Sequence, residues 1–396
     1  MIAEYKLKVT ICGAGNTGHL AAVLFSQNPK VDVTLFSSQP EFPATYRKNG
    51  GQIHALLNDG TLLKASPSCV TACPYEACRD ADVIIITTPI HVRDNVLKLI
   101  QPALPRNKPV FVGAIPGFGG FDWLAEYRLG TLPNIVLWGM KDVSHIAFEL
   151  IRGKSVKLGG AKSHLYVALH RREKPEMAEI LIGYLNQLYE SPVMLLADYL
   201  EITLTPGNPI MHGSVIYGLI GPWGQWHKHS FSHIPCWWND CPELGAYFLA
   251  RCDEENQLLR KAAEAALHID LSSVQPLQQE IVEAYGDLIA DSRTLLSVLR
   301  TNQAYEGIPL PLIKAKNEEG YVFDQHHRVF QEDIACGLSL LVAIGKRLNV
   351  PVPYINEIYL YINEIYLWCC EYIGENSATV PIPASWPEIR VVTECA

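Results

Sequence analysis

The stretch TLTPGNPIMHGSVIYGLIG, Thr203 to Gly221, puts one imidazole, His212, among Ile210, Met211, Val215, Ile216 and Leu219, just after a Pro-Gly-Asn-Pro turn. A titratable ring in an apolar run is either a buried neutral histidine satisfied by a hydrogen bond or a general acid. Reduction of a carbonyl or imine by hydride needs a proton donor beside the developing negative charge, and histidine suits that task near neutral pH. A second concentration of reactive side chains is WHKHSFSHIPCWWNDC, Trp226 to Cys241, with His227, His229, His233, Cys236 and Cys241. Structural zinc favours two tight ligand pairs, and only His-x-His is tight here, so no metal is expected. Trp237 and Trp238 are expected instead to line a substrate cleft.

A third constellation opens the chain. Gly13-x-Gly15-x-x-Gly18, with Asn16 and Thr17 inside it, separates the apolar run Lys8–Cys12 from a helical stretch, His19–Ser26. In that context the first glycine permits a tight turn, the second lets a pyrophosphate approach the backbone, and the third lets helix and strand pack closely. The free amides of the helix N-terminus attract the anion. A dinucleotide is therefore expected. At the tip of the second strand, where NAD-preferring sites carry an acid, the chain reads Phe36-Ser37-Ser38-Gln39, and the nearest acid is Glu41. Two hydroxyls in place of a carboxylate remove repulsion of a 2′-phosphate, and Arg47 and Lys48 offer countercharge, so NADP(H) is preferred over NAD(H). Thr88 and Pro89, in TTPIH at the end of a Val/Ile run, are expected to border the nicotinamide half; His91 reads as a helix-start residue.

These groups need a scaffold. Strand patterns at Val31–Phe36, Gln52–Leu57, Thr61–Lys64, Asp82–Thr88, Pro109–Ala114 and Asn134–Gly139 alternate with helical ones at Val92–Leu104 and Phe121–Leu129. Unbroken Val/Ile runs predict a parallel sheet covered on both faces. From about Leu200 long helical patterns take over: Glu243–Ala266, Val274–Asp291 and Asp333–Leu348. The fold class expected is α/β, a Rossmann-type dinucleotide-binding domain over 1–200 followed by a mostly α-helical substrate and catalytic domain over 201–396. The heptad YINEIYL at Tyr354–Leu360 repeats unchanged at Tyr361–Leu367; isoleucines 355, 358, 362 and 365 form a stripe at helical spacing, consistent with a lengthened surface helix.

The chain has 396 residues, 48% hydrophobic and 18% charged, a globular composition. Its net charge of −9 argues against a nucleic-acid partner. No apolar stretch is long enough to span a membrane, and the N-terminal residues show no h-region, which suggests a cytoplasmic protein. In that compartment the 11 scattered cysteines read as reduced core thiols.

The Gly-Asn-Pro-x-x-His setting of His212, together with RTNQAYEGI (Arg300–Ile308) and HRVFQEDIACGL (His327–Leu338), resembles the octopine/nopaline dehydrogenase family, the opine dehydrogenases. The resemblance runs over nearly the whole chain, with the motifs in family order. It implies an enzyme, an NAD(P)-dependent oxidoreductase that condenses an α-keto acid, often pyruvate, with the amino group of an amino acid and reduces the imine. The family's catalytic histidine falls on His212, and the arginine and aspartate of its Arg-x-x-x-Glu-Asp segment on Arg328 and Asp333. Chemically, Asp333 would fix the imidazole tautomer and Arg328 would fork onto a substrate carboxylate. Otherwise Asp333 reads as a cap on the helix it is expected to begin. A hydroxyacid or polyol-phosphate dehydrogenase of the same fold and a non-enzymatic NAD(P) sensor remain the alternatives; a homodimer is left open.

Overall fold

The Val/Ile runs become the centre of a sheet. The computed structural model describes residues 5–221, 231–315, 319–324 and 326–371, and the chain divides into two units, Met1–Thr203 and Leu204–Ala396. In chain order the first unit runs β1 (Leu7–Cys12), α1 (Asn16–Phe25), β2 (Val31–Phe36), α2 (Phe42–Lys48), β3 (Ile53–Leu56), β4 (Leu62–Ala65), β5 (Cys69–Thr71), α3 (Pro74–Cys78), β6 (Val83–Ile86), α4 (Ile90–Ile100), β7 (Val110–Ala114), α5 (Phe121–Leu129), β8 (Ile135–Met140), β9 (His145–Ile151), β10 (Ser155–Ala161), β11 (Leu165–Leu169), α6 (Glu176–Leu188), β12 (Val193–Leu195) and α7 (Leu200–Thr203).

Eight strands form one sheet in the order β12-β11-β8-β7-β6-β1-β2-β5. Its centre is parallel, with Val9 beside Val33 and Val83, and every residue of β6 is buried, as a strand covered on both faces requires. The sheet is not parallel throughout. β11 runs antiparallel to β8, with Val167 opposite Met140. The β9–β10 hairpin returns the chain to the end of β8, so the next strand must run back along it.

That hairpin joins a second sheet, β4-β3-β10-β9, in which β10 is parallel to β3. Helix α1 packs against β3, β9 and β10 as well as β1 and β2, so it is covered by two sheets. This explains why His19, on its first turns, is fully buried. His19 Nε2 accepts the N–H of Gly153, in the β9–β10 turn, at 2.8 Å, and Nδ1 then donates to the Gly15 carbonyl at 3.0 Å. The ring must be neutral to do both.

The second unit is mostly helical: α8 (Gly207–Ile220), α9 (Glu243–Leu267), α10 (Leu277–Tyr285), α11 (Leu295–Thr301), a two-stranded ribbon of β13 (Leu312–Lys314) and β14 (Tyr321–Phe323), a π-helix (Phe330–Leu338), α12 (Ser339–Leu348) and α13 (Pro353–Glu371). The single helix expected over Val274–Asp291 is shorter, because Pro276 delays its start and Gly286, at φ +46°, ends it. Both heptad copies lie in α13, but its stripe is no surface feature: Ile355, Ile358 and Ile362 are fully buried. Glu255 on α9 accepts the N–H groups of Tyr354 and Ile355 at 2.8 and 2.9 Å and so anchors the start of α13. Among the described residues no helix is long and apolar enough to cross a membrane.

Burial pushes the His19 imidazole down to about 4 from an ordinary 6.5. Below pH 6.5 the unfolded chain takes up a proton that the native ring refuses until about pH 4, so this residue removes stability as the pH falls through that window, by roughly 3 kcal/mol in all. Urea unfolding between pH 7 and pH 4.5 should therefore show a shallower loss of stability in His19→Gln than in the wild type. Equal slopes would contradict a neutral buried ring.

Candidate active site

Helix α8 and the π-helix approach through small residues. A Cβ on Gly337 would lie 2.5 Å from Cγ of Pro209, and one on Gly213 would meet Ile334, Leu338 and Ile358 side chains at 3.2 Å. With side chains that small at the crossing, His212 and Asp333, one on each element, reach each other: Nδ1 to Oδ2 is 2.8 Å. Asp333 is fully buried, and its other oxygen, Oδ1, has no hydrogen-bond partner among the described residues. The carboxylate accepts, so Nδ1 carries the proton and Nε2 is left to exchange one with a ligand. The His212 side chain keeps 13% of its surface. Its ring lies 4.5 Å from Trp237 and, stacked at 20°, 5.6 Å from Trp238.

Asp333 does not begin a helix. Helical backbone already starts at Arg328, and from Phe330 it widens into the π form. There each amide reaches five residues back rather than four, a rare geometry that recurs at functional sites. Arg328 and Asp333 are themselves five residues apart, a separation with no logic on an α-helix. Arg328 Nη1 meets Glu332 Oε2 at 2.5 Å; the arginine side chain is 50% exposed and the glutamate 5%. The buried carboxylate thus grips one edge of the guanidinium and leaves the rest of the fork outward. His327 adds a second imidazole: burial, then the charge of Arg328, lowers its proton affinity, and the Val329 N–H points at its Nδ1 from 3.4 Å.

The other residues singled out in the sequence fall in three places. Around the glycine loop, Gly13 adopts φ +136°, which only glycine takes without strain, and a Cβ on Gly18 would sit 1.8 Å from the Gly13 carbonyl. A Cβ on Gly15 would meet nothing within 4 Å. Gly15 and Asn16 are exposed, Thr17 is half-buried, and no acid occupies the first turn of α1. That is an open, unopposed helix N-terminus, which suits an anion. At the tip of β2, Ser37 is buried, its Oγ facing the Gln39 N–H at 3.3 Å, and Ser38 is exposed. Arg47 and Lys48 are exposed on the last turn of α2.

Beside the glycine loop, Thr87 Oγ1 donates to the Gly13 carbonyl at 3.3 Å, whereas Thr88 Oγ1 is buried without a partner among the described residues. Pro89 is the residue before α4, and His91 lies in that helix's first turn. One buried cation was missed from the sequence. Arg93, 1% exposed, donates to the carbonyls of Thr88, Pro116 and Phe118 at 3.3, 2.8 and 2.7 Å and ties together the loops that follow β6 and β7. The signal, a lone arginine on an amphipathic helix, looks like an ordinary surface charge.

The Trp pair of the His/Trp-rich segment is 5–6% exposed and covers the imidazole ring. Residues 222–230, including His227 and His229, lie outside the described residues.

Residues 195–366 match the family described as NAD/NADP octopine/nopaline dehydrogenase, alpha-helical domain, and residues 9–113 match ketopantoate reductase PanE/ApbA. An uncharacterized protein of Sinorhizobium fredii is 51% identical over 384 residues, covering 96% of this chain and 100% of that one. An opine dehydrogenase of Haliotis discus hannai is 25% identical over 383 residues, covering 93% and 91%. Among solved structures, octopine dehydrogenase in complex with NADH and agmatine superposes with a TM-score of 0.79 at 22% identity, covering 91% of this chain and 90% of that one.

The helix crossing makes its own prediction. Gly337→Ala forces a methyl against Pro209 and should cost about 1–3 kcal/mol, the usual range for overpacking, as read by urea denaturation. An unchanged midpoint would mean that the two elements have room to spare.

Proposed function

Because the chain belongs to the octopine/nopaline dehydrogenase family, we propose that it is an opine dehydrogenase: an NAD(P)H-dependent enzyme that condenses an α-keto acid, pyruvate in this reading, with the amino group of an amino acid. The observation that carries the proposal within the site is the 2.8 Å contact between His212 and Asp333, which leaves Nε2 as the proton-exchanging atom. As imidazolium, His212 donates from Nε2 to the keto oxygen while the amine adds to the carbonyl carbon; the neutral ring then takes a proton from the added nitrogen and passes it to the new hydroxyl, which departs as water and leaves the protonated imine. Asp333 holds the ring in one tautomer and stabilises its charged form, as the aspartate of a catalytic triad does. Arg328, gripped by Glu332, turns its open edge to a substrate carboxylate in two parallel hydrogen bonds.

The residues around the glycine loop fit a dinucleotide. Gly13, Gly15, Asn16, Thr17 and Gly18 would hold the pyrophosphate at the open N-terminus of α1, Ser37 and Ser38 the adenosine ribose, and Thr88 and Pro89 the nicotinamide half. The open side of Gly15 and the unpartnered Thr88 hydroxyl support this fit. When bound, the nicotinamide supplies the hydride that reduces the imine carbon. The exposed Ser38, in place of an acid, favours NADP(H). This division of labour makes the first unit the cofactor domain and the second the substrate and catalytic domain.

Purified protein should oxidise NADPH in the presence of pyruvate only when an amino acid is added; turnover with the keto acid alone would instead identify a hydroxyacid dehydrogenase. His212→Ala should lower kcat by about 10²–10⁴, and His212→Gln, whose amide can still donate to Asp333, separates loss of proton transfer from loss of folding. Near-normal turnover in both would return the ring to core packing. Arg328→Lys should chiefly raise KM for the keto acid, since a point charge cannot reproduce the fork; a change confined to kcat would count against carboxylate binding.

A further inference from the structure

The β9–β10 turn brings one more cation to the first turn of α2, the helix that follows the tip of β2. Three contacts fix its backbone. Gly153 donates its N–H to His19 on α1, the carbonyl of Arg152 accepts from Asn49 Nδ2 at the end of α2 at 3.0 Å, and Gly153, at φ +69°, presses so close to α2 that a Cβ would lie 3.1 Å from Cα of Tyr46. The turn is wedged between the two helices that follow the glycine loop and the β2 tip. From this anchor the Arg152 side chain runs back along α2, and its guanidinium lies 5.5 Å from the ring centroid of Phe42, the first residue of that helix. Phe42 is one turn from Gln39, to whose carbonyl its N–H donates at 3.1 Å, and its ring meets that of His19 at 5.6 Å. Arg152 is exposed and has no carboxylate partner in any ion pair among the described residues. An exposed planar cation therefore rests on the ring of Phe42, four residues along the chain from the exposed Ser38 and in contact with His19 of α1.

We infer that Arg152 is the specificity-determining residue for the adenosine end of the cofactor, its guanidinium meeting the 2′-phosphate of NADP(H) that the exposed Ser38 admits. The inference rests on the cofactor reading given above. A guanidinium presents parallel N–H groups to two phosphate oxygens, and one already stacked on an aromatic ring gives up little freedom in doing so. NAD(H), which has a hydroxyl at that position, gains little from it. Arg47 and Lys48 lie on the last turn of α2, at the opposite end from Phe42, and supply general positive potential rather than the contact.

Equilibrium titration of cofactor fluorescence, with no substrate present, tests the assignment on wild type, Arg152→Ala and Arg152→Lys. Wild type should bind NADPH more tightly than NADH. Arg152→Ala should lose at least tenfold in NADPH affinity and keep NADH affinity within about twofold, with Arg152→Lys between them. Competition by 2′,5′-ADP should weaken in parallel, while competition by 5′-AMP should not. An unchanged NADPH-to-NADH ratio in Arg152→Ala, or an equal loss of both, would overturn the assignment. A wild type that prefers NADH would overturn it together with the cofactor preference, whereas a wild type that binds neither dinucleotide would fail the proposed function itself.

Discussion

A carboxylate withdrawn entirely from water must find its hydrogen bonds or a countercharge inside the protein, and Asp333 is in that position. One oxygen is satisfied by His212 and the other has no partner among the described residues, so the imidazole supplies the hydrogen bond that the buried carboxylate makes there, with the charge of Arg328 acting on it as well. Breaking such a buried pair by deleting one member typically costs about 3–5 kcal/mol, because the remaining charge is left uncompensated. The packing of α8 against the π-helix and the shape of the π-helix itself all serve this pair. Bulk at Gly213 or Gly337 would push the two backbones apart, and a shift in helical register would aim the carboxylate elsewhere.

The same dependence explains which parts of the site were legible. His212 stands out in the sequence because an imidazole in an apolar run is a local anomaly. Asp333 and Arg328 do not stand out: five residues apart, they fit no α-helical face, and a π-helix has no periodicity that apolar residues announce. Only the resemblance to a family brought them forward. Trp237 and Trp238 were expected to line a cleft, and both pack on the His212 ring; their sequence says that a large aromatic surface must be buried, not against what.

In the first unit the legible elements are those whose burial is two-sided. β6, four consecutive buried Val/Ile residues, and the glycine loop between β1 and α1 are fixed by local physics: a strand covered on both faces, and a turn with a positive φ at Gly13. The second sheet was less visible. β3 and β4 appeared as strand patterns at Gln52–Leu57 and Thr61–Lys64, but β9 and β10 did not appear at all, since their burial is partial and irregular and Gly159 and Gly160 interrupt the pattern. A strand whose faces are only half covered carries a weak alternation, and its partner, β3, lies about a hundred residues earlier in the chain. Pairing of that kind is a tertiary fact.

The hairpin has consequences beyond the sheet it completes. His19 spends both ring nitrogens on backbone, one on its own helix and one on the β9–β10 turn, and a charged ring could not accept the second bond. The buried neutral histidine thus acts as a fixed spacer between α1, at whose N-terminus the glycine loop lies, and a turn more than a hundred residues away. Residues carried on that turn, Arg152 among them, take their position from α1 and α2 rather than from their own strands. A histidine was the apparent anomaly at the start of the second unit as well. There, the carboxylate partner leaves Nε2 able to exchange a proton, whereas in α1 two backbone partners leave no nitrogen open. Burial alone does not tell a structural imidazole from a chemical one; the partners at its two nitrogens do.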